Sequence, residues 1–414
     1  METVSLAENQ KYQKAVALEF KAKHLDSIQA YHEVLSSYNQ ENPECFPYLS
    51  KVFTRISRNY LELGRYKDAQ KYLDQASHFN SKCSSVSQIV EGELLILQGE
   101  IYHENFELDR ALEAFSKATS IFENDKANVR NYVIALRNYA SLHYELLNYK
   151  KGIELYEKAM EISKAELGPQ DIETARIEHD LGCVLIIIND VIKSMNYLLV
   201  SLYKKKNYYG YNHPEVAKTL CQLGNCYKEM NRYDESLVAL QEALKIFKKF
   251  YGEVHPIIAR TNLELARLYE SGLDILLSRE YYDKAINMVY QLFEGNHPFH
   301  GEYSLELAYA YHNAEDYEKA LTLCNRALEI FKANYGEEHP FVAVCYSALC
   351  RIKKDMELYD EALEDNEKSL QLARKIHGEI HPEMATKYFW RGYIYISQDK
   401  LPEALECINK MHEI

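Results

Sequence analysis

Small side chains return along this chain at a fixed interval, with large apolar and aromatic residues at constant offsets between them. Steps of 42 residues from Ala15 reach Ser57 and Gly99, and a step of 41 reaches Ala140. Steps of 42 then reach Gly182, Gly224, Ala266, Ala308, Cys350 and Gly392. Twelve residues after each of nine members stands a second small residue: Ser27, Ala69, Ala111, Gly152, Ser194, Ser236, Ala320, Ala362 and Ala404. The third residue after the first column is often aromatic (Tyr60, Tyr102, Tyr227, Tyr269, Tyr311, Tyr395), and tyrosine recurs just before the second (Tyr66, Tyr149, Tyr233, Tyr317, Tyr359). Two small residues at this spacing suit antiparallel helices that cross closely, because bulkier side chains hold the axes beyond the 8–10 Å packing distance. A period of this length marks a repeat architecture, so the expected fold is all-α, a solenoid of about ten helix-turn-helix repeats. The column tyrosines are expected to pack, with their hydroxyls at the surface.

One pair departs from this register. The segment REYYDKA places its alanine at Ala285, seven residues late for the partner of Ala266, while the following junction arrives on schedule. The expectation is that SGLDILL, Ser271 to Leu277, is inserted at the hairpin turn and that the second helix is shortened to match. Seven residues are two helical turns, so the facing of the helix survives. On this reading Leu273, Ile275, Leu276 and Leu277 form either a neutral loop tip or an exposed apolar docking point.

Between pairs runs a recurring junction: YGYNHPEVA from Tyr209, YGEVHPIIA from Tyr251, YGEEHPFVA from Tyr335, HGEIHPEMA from His377, and a damaged copy, EGNHPFHG, from Glu294. The glycine can end a helix in the left-handed conformation, and proline suits the first turn of the next. The intervening histidines, His213, His255, His297, His339 and His381, stand where N-caps belong. A metal array is not expected, since ligands lie about 2 Å from a shared ion and successive junctions are separated by whole helices.

The chain of 414 residues has 47% hydrophobic and 27% charged residues with 15 Gly and 9 Pro, which excludes disordered and collagen-like classes. A net charge of −14 disfavours nucleic-acid partners. Nine cysteines without a CxxC pair read as reduced thiols, the start METVSLAENQ lacks a signal-peptide pattern, and CVLIII, Cys183 to Ile188, is too short to span a membrane. A cytoplasmic location without membrane insertion is expected. No Walker loop, dinucleotide fingerprint, HExxH helix or nucleophile elbow occurs, so no catalytic residue, cofactor or metal is assigned and an enzyme is not expected. The last helix, in EALECINKMHEI, carries Leu405, Ile408, Met411 and Ile414 at helical spacing, an end face expected to be partly exposed and to support self-association or a partner.

The columns resemble the tetratricopeptide repeat, and the 42-residue form with G-x-x-H-P junctions resembles the repeats of kinesin light chains. The resemblance is strong over 129–414, taken as seven repeats, and generic over 1–128, taken as three repeats with the first degenerate, the two parts forming one solenoid. Kinesin light chains have a long coiled coil ahead of their repeats, whereas here the first repeat lies close to Met1, so a motor subunit is not expected. The resemblance implies a right-handed superhelix whose first helices line a concave groove for peptides or partner helices, hence a non-enzymatic scaffold or adaptor. The alternative is a peptide- or ligand-sensing regulator whose superhelix changes shape. Family register places Arg137, Asn138, Arg176, His179, Lys218, Asn225, Arg260, Arg267 and Arg351 along the groove, with Phe389, Trp390 and Tyr393 at its far end. The ladder of Arg176, Lys218 and Arg260 suggests an acidic or phosphorylated ligand, unless neighbouring acids such as Asp180, Glu229 and Glu264 pair with it.

Overall fold

The computed structural model describes residues 6, 9–83, 87–123, 125–146, 148–271 and 274–414. Among the described residues there are twenty α-helices and no strand. The first three pairs are α1 (Gln10–Phe20) with α2 (His24–Leu35), α3 (Phe46–Glu62) with α4 (Tyr66–Ser81), and α5 (Gln88–Glu104) with α6 (Leu108–Phe122). Then come α7 (Val129–Glu145) with α8 (Tyr149–Ile162), α9 (Ile172–Ile187) with α10 (Val191–Tyr209), and α11 (Pro214–Glu229) with α12 (Tyr233–Tyr251). The last four pairs are α13 (Pro256–Glu270) with α14 (Ile275–Leu292), α15 (Pro298–Asn313) with α16 (Tyr317–Tyr335), α17 (Pro340–Asp355) with α18 (Tyr359–His377), and α19 (Pro382–Ser397) with α20 (Leu401–Glu413).

The hairpins turn by one device. The N–H of the eighth residue after the small column donates to the carbonyl of the third, as in Arg65 to Tyr60 at 2.9 Å, Arg232 to Tyr227 at 2.8 Å and Asp316 to Tyr311 at 2.9 Å. The residue between takes the left-handed conformation that closes a helix C-terminus, at Phe106 (φ 60°), Asn231 (57°), Glu315 (61°) and Glu357 (62°). The second helix then starts one residue later. Both small columns are buried, and serine adds a bond where it occurs: Ser27 Oγ donates to the Ala15 carbonyl at 2.9 Å, Ser194 to Gly182 at 2.7 Å and Ser236 to Gly224 at 2.7 Å. A Cβ on Gly224 would lie 2.8 Å from Leu240 Cγ, which is why that position is small. The aromatic column is half-buried, and Arg65, Arg110 and Arg232 lie over the rings of Tyr60, Tyr102 and Tyr227 at 4.9, 4.2 and 4.7 Å.

The seventh pair keeps the common register, and the expected insertion is absent. Asp274 donates its N–H to the Tyr269 carbonyl at 3.1 Å, the same turn bond, and its carboxylate caps α14 by accepting from Leu276 and Leu277. Ser278, only 1% exposed, occupies the second column. The sequence concealed this because Ile275 replaced the usual tyrosine at the helix start, while REYYDKA imitated the usual turn further on. REYYDKA lies inside α14, where Tyr282 and Ala285 are core residues. Of the apolar residues expected at a loop tip, Ile275 and Leu276 are exposed, Leu277 is half-buried, and Leu273 lies outside the described residues.

The packing groups the chain into two compact units, Met1–Thr261 and Asn262–Ile414. In the C-terminal unit, Met411 and Ile414 pack on Leu370, Ala373, Met384 and Tyr388, while Leu405 and Ile408 stay 58% and 40% exposed. The end face expected to be open is therefore open on one side of α20.

Candidate functional site

At the junctions, the local sequence builds a compact cap. Gly210, Gly252, Gly336 and Gly378 end their helices at φ 80–86°. The histidine three residues on is the N-cap of the next helix: Nδ1 accepts from the N–H two residues ahead at 3.2 Å in His213, His255 and His381 and at 3.3 Å in His297 and His339. The aromatic residue four positions earlier stacks on the imidazole, with centroids 4.1–4.3 Å apart in Tyr209–His213, Tyr251–His255, Phe293–His297 and Tyr335–His339. A further junction escaped sequence reading because its cap is an aspartate: Gly168 has φ 102° and Asp171 Oδ1 accepts from the Glu173 N–H at 2.9 Å. The constant offset from Gly210 and His213 was the available signal.

In the N-terminal unit two of these histidines do more. His213 Nε2 lies 3.2 Å from the Phe20 carbonyl and His255 Nε2 lies 3.0 Å from the Glu62 carbonyl, each pair 193 residues apart in sequence. Because Nδ1 accepts, Nε2 must carry the proton and donate, so the two bonds fix one neutral tautomer. The starts of α11 and α13 thus meet the ends of α1 and α3, closing the unit after five helix pairs. Around these bonds Phe20 packs on Tyr208 and Tyr209 with centroids 5.6 and 5.7 Å apart, and Lys218 reaches Glu62 at 3.8 Å. A Cβ on Gly64 would meet Pro256 Cδ at 2.8 Å. Burial holds the His213 imidazole below its usual pKa and that of His255 down at about 4.

Beside this closure lies a cavity of about 950 Å3, open on one side and lined chiefly from α1, α3, α5, α7, α9 and α11. The arginines of its wall are paired with acids in or behind the wall. Arg55 meets Glu19 at 3.0 Å, Arg58 meets Glu100 at 3.2 Å, Arg130 meets Asp171 at 2.8 Å, and Arg176 meets Glu173 at 2.7 Å. Lys51 also lines the cavity and has no ion pair among the described residues.

The predicted groove cations are largely engaged. Arg176 also donates to the Tyr209 hydroxyl at 2.8 Å, and Lys218 meets Glu215 at 2.8 Å. Arg137 lies 3.7 Å from Asp180 and donates to Asn138 at 3.1 Å, while Asn138 donates to Glu100 at 2.8 Å. Burial works against the Glu145 carboxylate, and the charges of His103 and Arg260 outweigh it, so Arg260 too faces an acid. Asn225 donates within its own helix to Gln222 at 3.4 Å. His179 shares Thr219 with the buried Lys205: its Nδ1 is 3.2 Å and the lysine Nζ 3.1 Å from the hydroxyl. Sequence reasoning passed over Lys205, which lies on a second helix and is 1% exposed; burial pushes its pKa down. Burial also pushes the thiols of Cys183, Cys226 and Cys350 up, which disfavours thiolates.

In the C-terminal unit, Arg267 meets Glu264 at 2.9 Å and Glu306 at 2.7 Å. Arg351 lies over the Trp390 ring at 4.8 Å, and Phe389 and Tyr393 stack at 6.2 Å with both rings exposed, so the four residues form one surface cluster. Among the described residues no group of three or more His, Cys, Asp and Glu is arranged to hold a metal ion, and no helix is long and apolar enough to cross a membrane.

Known proteins share this organisation. A tetratricopeptide repeat model matches residues 131–202, 201–249, 215–291 and 301–354, and two further tetratricopeptide repeat models match 342–383 and 50–80 with 92–125. The chain is similar to the kinesin light chain-related protein 2 of Arabidopsis thaliana, with 24% identity over 52% of this chain and 33% of that protein. It is also similar to the clustered mitochondria protein homolog of Xenopus tropicalis, with 26% identity over 41% of this chain and 13% of that protein. The chain thus matches a third or less of the length of these relatives. A solved Rap protein, complexed with Competence and Sporulation Factor, has the same fold at a TM-score of 0.65, with 13% identity over 88% of this chain and 97% of that one. With repeat models covering more than half its length, the chain belongs to the tetratricopeptide repeat family, and its 42-residue repeats with junction histidines in constant register are similar to those of the kinesin light chain type.

Proposed function

We propose that this chain, a protein-interaction scaffold by family, receives a short peptide of mixed charge in the lumen of its N-terminal unit. The observation that carries this reading is the open cavity of about 950 Å3, which lies in the size range of ligand pockets. Its paired wall sets the chemistry. An acidic or phosphorylated segment would have to displace Glu173 and Glu215 from Arg176 and Lys218, whereas a single carboxylate among neutral and basic residues can use Lys51 and leave the pairs intact. Fluorescence anisotropy with short mixed, polyacidic and polybasic peptides tests this on wild type and Lys51→Glu. The mixed peptide should bind best, with shallow salt dependence, and lose affinity in the variant. Preferred polyacidic binding with steep salt dependence supports the cationic ladder instead, and no binding by any peptide removes the lumen as the site.

The sensing alternative rests on the closure itself, since two histidine bonds, the Lys218–Glu62 pair, the approach of Gly64 to Pro256 and a small aromatic contact hold the ends of the unit together. For a sensor, small-angle scattering shows a change in radius on adding the mixed peptide; for a rigid scaffold it does not. Self-association through α20 is a separate proposal, supported by the exposure of Leu405 and Ile408. Concentration-dependent sedimentation abolished by Ile408→Lys supports it, and a monomer at all concentrations removes it.

A further inference from the structure

The outward face of α10 differs from that of every other second helix. At the positions two before and five, six and nine after the second small column, α10 carries Ile192, Leu199, Val200 and Tyr203, which are 67%, 41%, 46% and 63% exposed. The same positions of α12 are Asp234, Gln241, Glu242 and Lys245. In the other second helices the last three positions are polar or charged without exception, and only the first is ever apolar or proline, at Leu25, Leu276 and Pro402. Solvated positions elsewhere have therefore become an apolar stripe at helical spacing on one helix of the solenoid. The buried side of α10 is ordinary: Ser194 and Leu198 are both 0% exposed, so the stripe does not come from a shift in register. An exposed apolar patch rimmed by polar residues marks an interaction surface.

The charges beside the stripe say what covers it. Helix α10 contains no acidic residue, and of its lysines Lys204 and Lys205 are buried, leaving Lys193 exposed and Lys206 half-buried. Asp190 engages Lys193 at 3.0 Å, and Lys206 lies over the Tyr211 ring at 5.4 Å. A second copy packed antiparallel about Leu199 and Val200 would bring Lys193 of one chain opposite Lys206 of the other, a like-charge contact that disfavours that pairing. We infer that the outward face of α10 is a docking surface for an amphipathic helix of another protein, apolar along one stripe and acidic at its edges. Such a helix seats side chains at i, i+3/i+4 and i+7 on the stripe and meets the lysines with its rim. This surface is on the outside of the solenoid and does not depend on the lumen.

The test uses the full chain and a variant with the residues of α12 at these positions, Ile192→Asp, Leu199→Gln, Val200→Glu and Tyr203→Lys. Those residues already sit in this register in the same protein, so melting should be unchanged. The probe is a labelled helix-forming peptide of about 20 residues, long enough to fold on contact, with a leucine stripe and glutamate edges. Wild type should bind it, the variant at least about tenfold more weakly, and a lysine-edged version of the peptide should also lose at least about tenfold. Equal binding of both peptides, an unaffected variant, or no binding to wild type overturns the inference. So does flotation of wild type but not variant with anionic phosphatidylserine vesicles, which assigns the face to a membrane surface. A concentration-dependent dimer that the variant abolishes assigns it to a second copy.

Discussion

The imidazole of His255 joins the Glu62 carbonyl at 3.0 Å to the Ile257 N–H at 3.2 Å, so one side chain serves the end of α3 and the start of α13. Both bonds need the neutral ring, since a protonated imidazole cannot accept at Nδ1. Burial lowers its pKa from the ordinary 6.5 to about 4, against the carboxylate of Glu62 and with the opposing charge of Lys218 nearby; His24 and the stacked Tyr251 complete its surroundings.

A pH dependence follows, and its sign is fixed by the direction of that shift. The unfolded chain binds the proton more readily than the folded one between pH 6.5 and about 4. The contribution of His255 is therefore complete above 6.5 and is lost as pH falls through about 4, on the order of 3 kcal/mol in all. Carboxylates also titrate there, so the informative quantity is the difference between wild type and His255→Gln. Urea midpoints of the two should diverge at neutral pH and converge near pH 4. Parallel curves across the range would show that the His255 imidazole takes up its proton alike in the folded and unfolded chain, contrary to the burial argument.

The hairpin turns give a prediction of opposite sign. Glu357 is exposed and holds φ 62°, a conformation unfavourable to L residues by roughly 1–2 kcal/mol and free of cost for glycine. Gly64 fills the equivalent place in the second hairpin. Glu357→Gly should raise stability by about 0.5–1 kcal/mol after the added flexibility of the unfolded chain is counted. Thermal melting of the variant checks it, and a lowered midpoint would mean that the glutamate side chain stabilises the turn in some other way.

Much of this fold was legible because the repeat supplies its own control: Gly224 reads as a packing position once Gly182 and Ser57 stand in the same column. The turns were less legible, since Phe106, Glu315 and Glu357 share a backbone conformation that their side chains do not announce. Asp171 was missed because a carboxylate and an imidazole do the same capping work without looking alike. The site was harder still. Arg176 and Lys218 form a ladder in sequence, but Glu173 and Glu215 stand one turn away on the same helices, and Glu62 reaches Lys218 only through the closure of the unit. A contact between residues that far apart leaves no local trace.

Overpacking separates two kinds of glycine. Gly224 sits in a helix with Leu240 Cγ 2.8 Å from where its Cβ would be, whereas Gly210 has open space but φ 85°. Gly224→Leu should cost about 1–3 kcal/mol and recover in part with Leu240→Ala, which opens room. Gly210→Ala should lose roughly 1–2 kcal/mol through its backbone, with no rescue by any neighbouring truncation. Denaturant titrations of the single and double variants decide this; additive losses in the Gly224–Leu240 cycle would break the packing argument.

Ser278 tests the register of the seventh pair. If it occupies the second column, as its burial and the Asp274–Tyr269 turn bond place it, then Ser278→Leu forces a large side chain between α13 and α14, as Ser236→Leu does between α11 and α12. Both should lose on the order of 1–3 kcal/mol, while Leu276→Ser, two residues away and 72% exposed, should stay within about 0.5 kcal/mol of wild type. Under the insertion reading residue 278 would lie in a loop that tolerates leucine, and only Ser236→Leu of these three would collide with a facing helix. Chemical denaturation of the three variants separates the two outcomes, because Ser278 stands at a helix crossing in one and in a loop in the other.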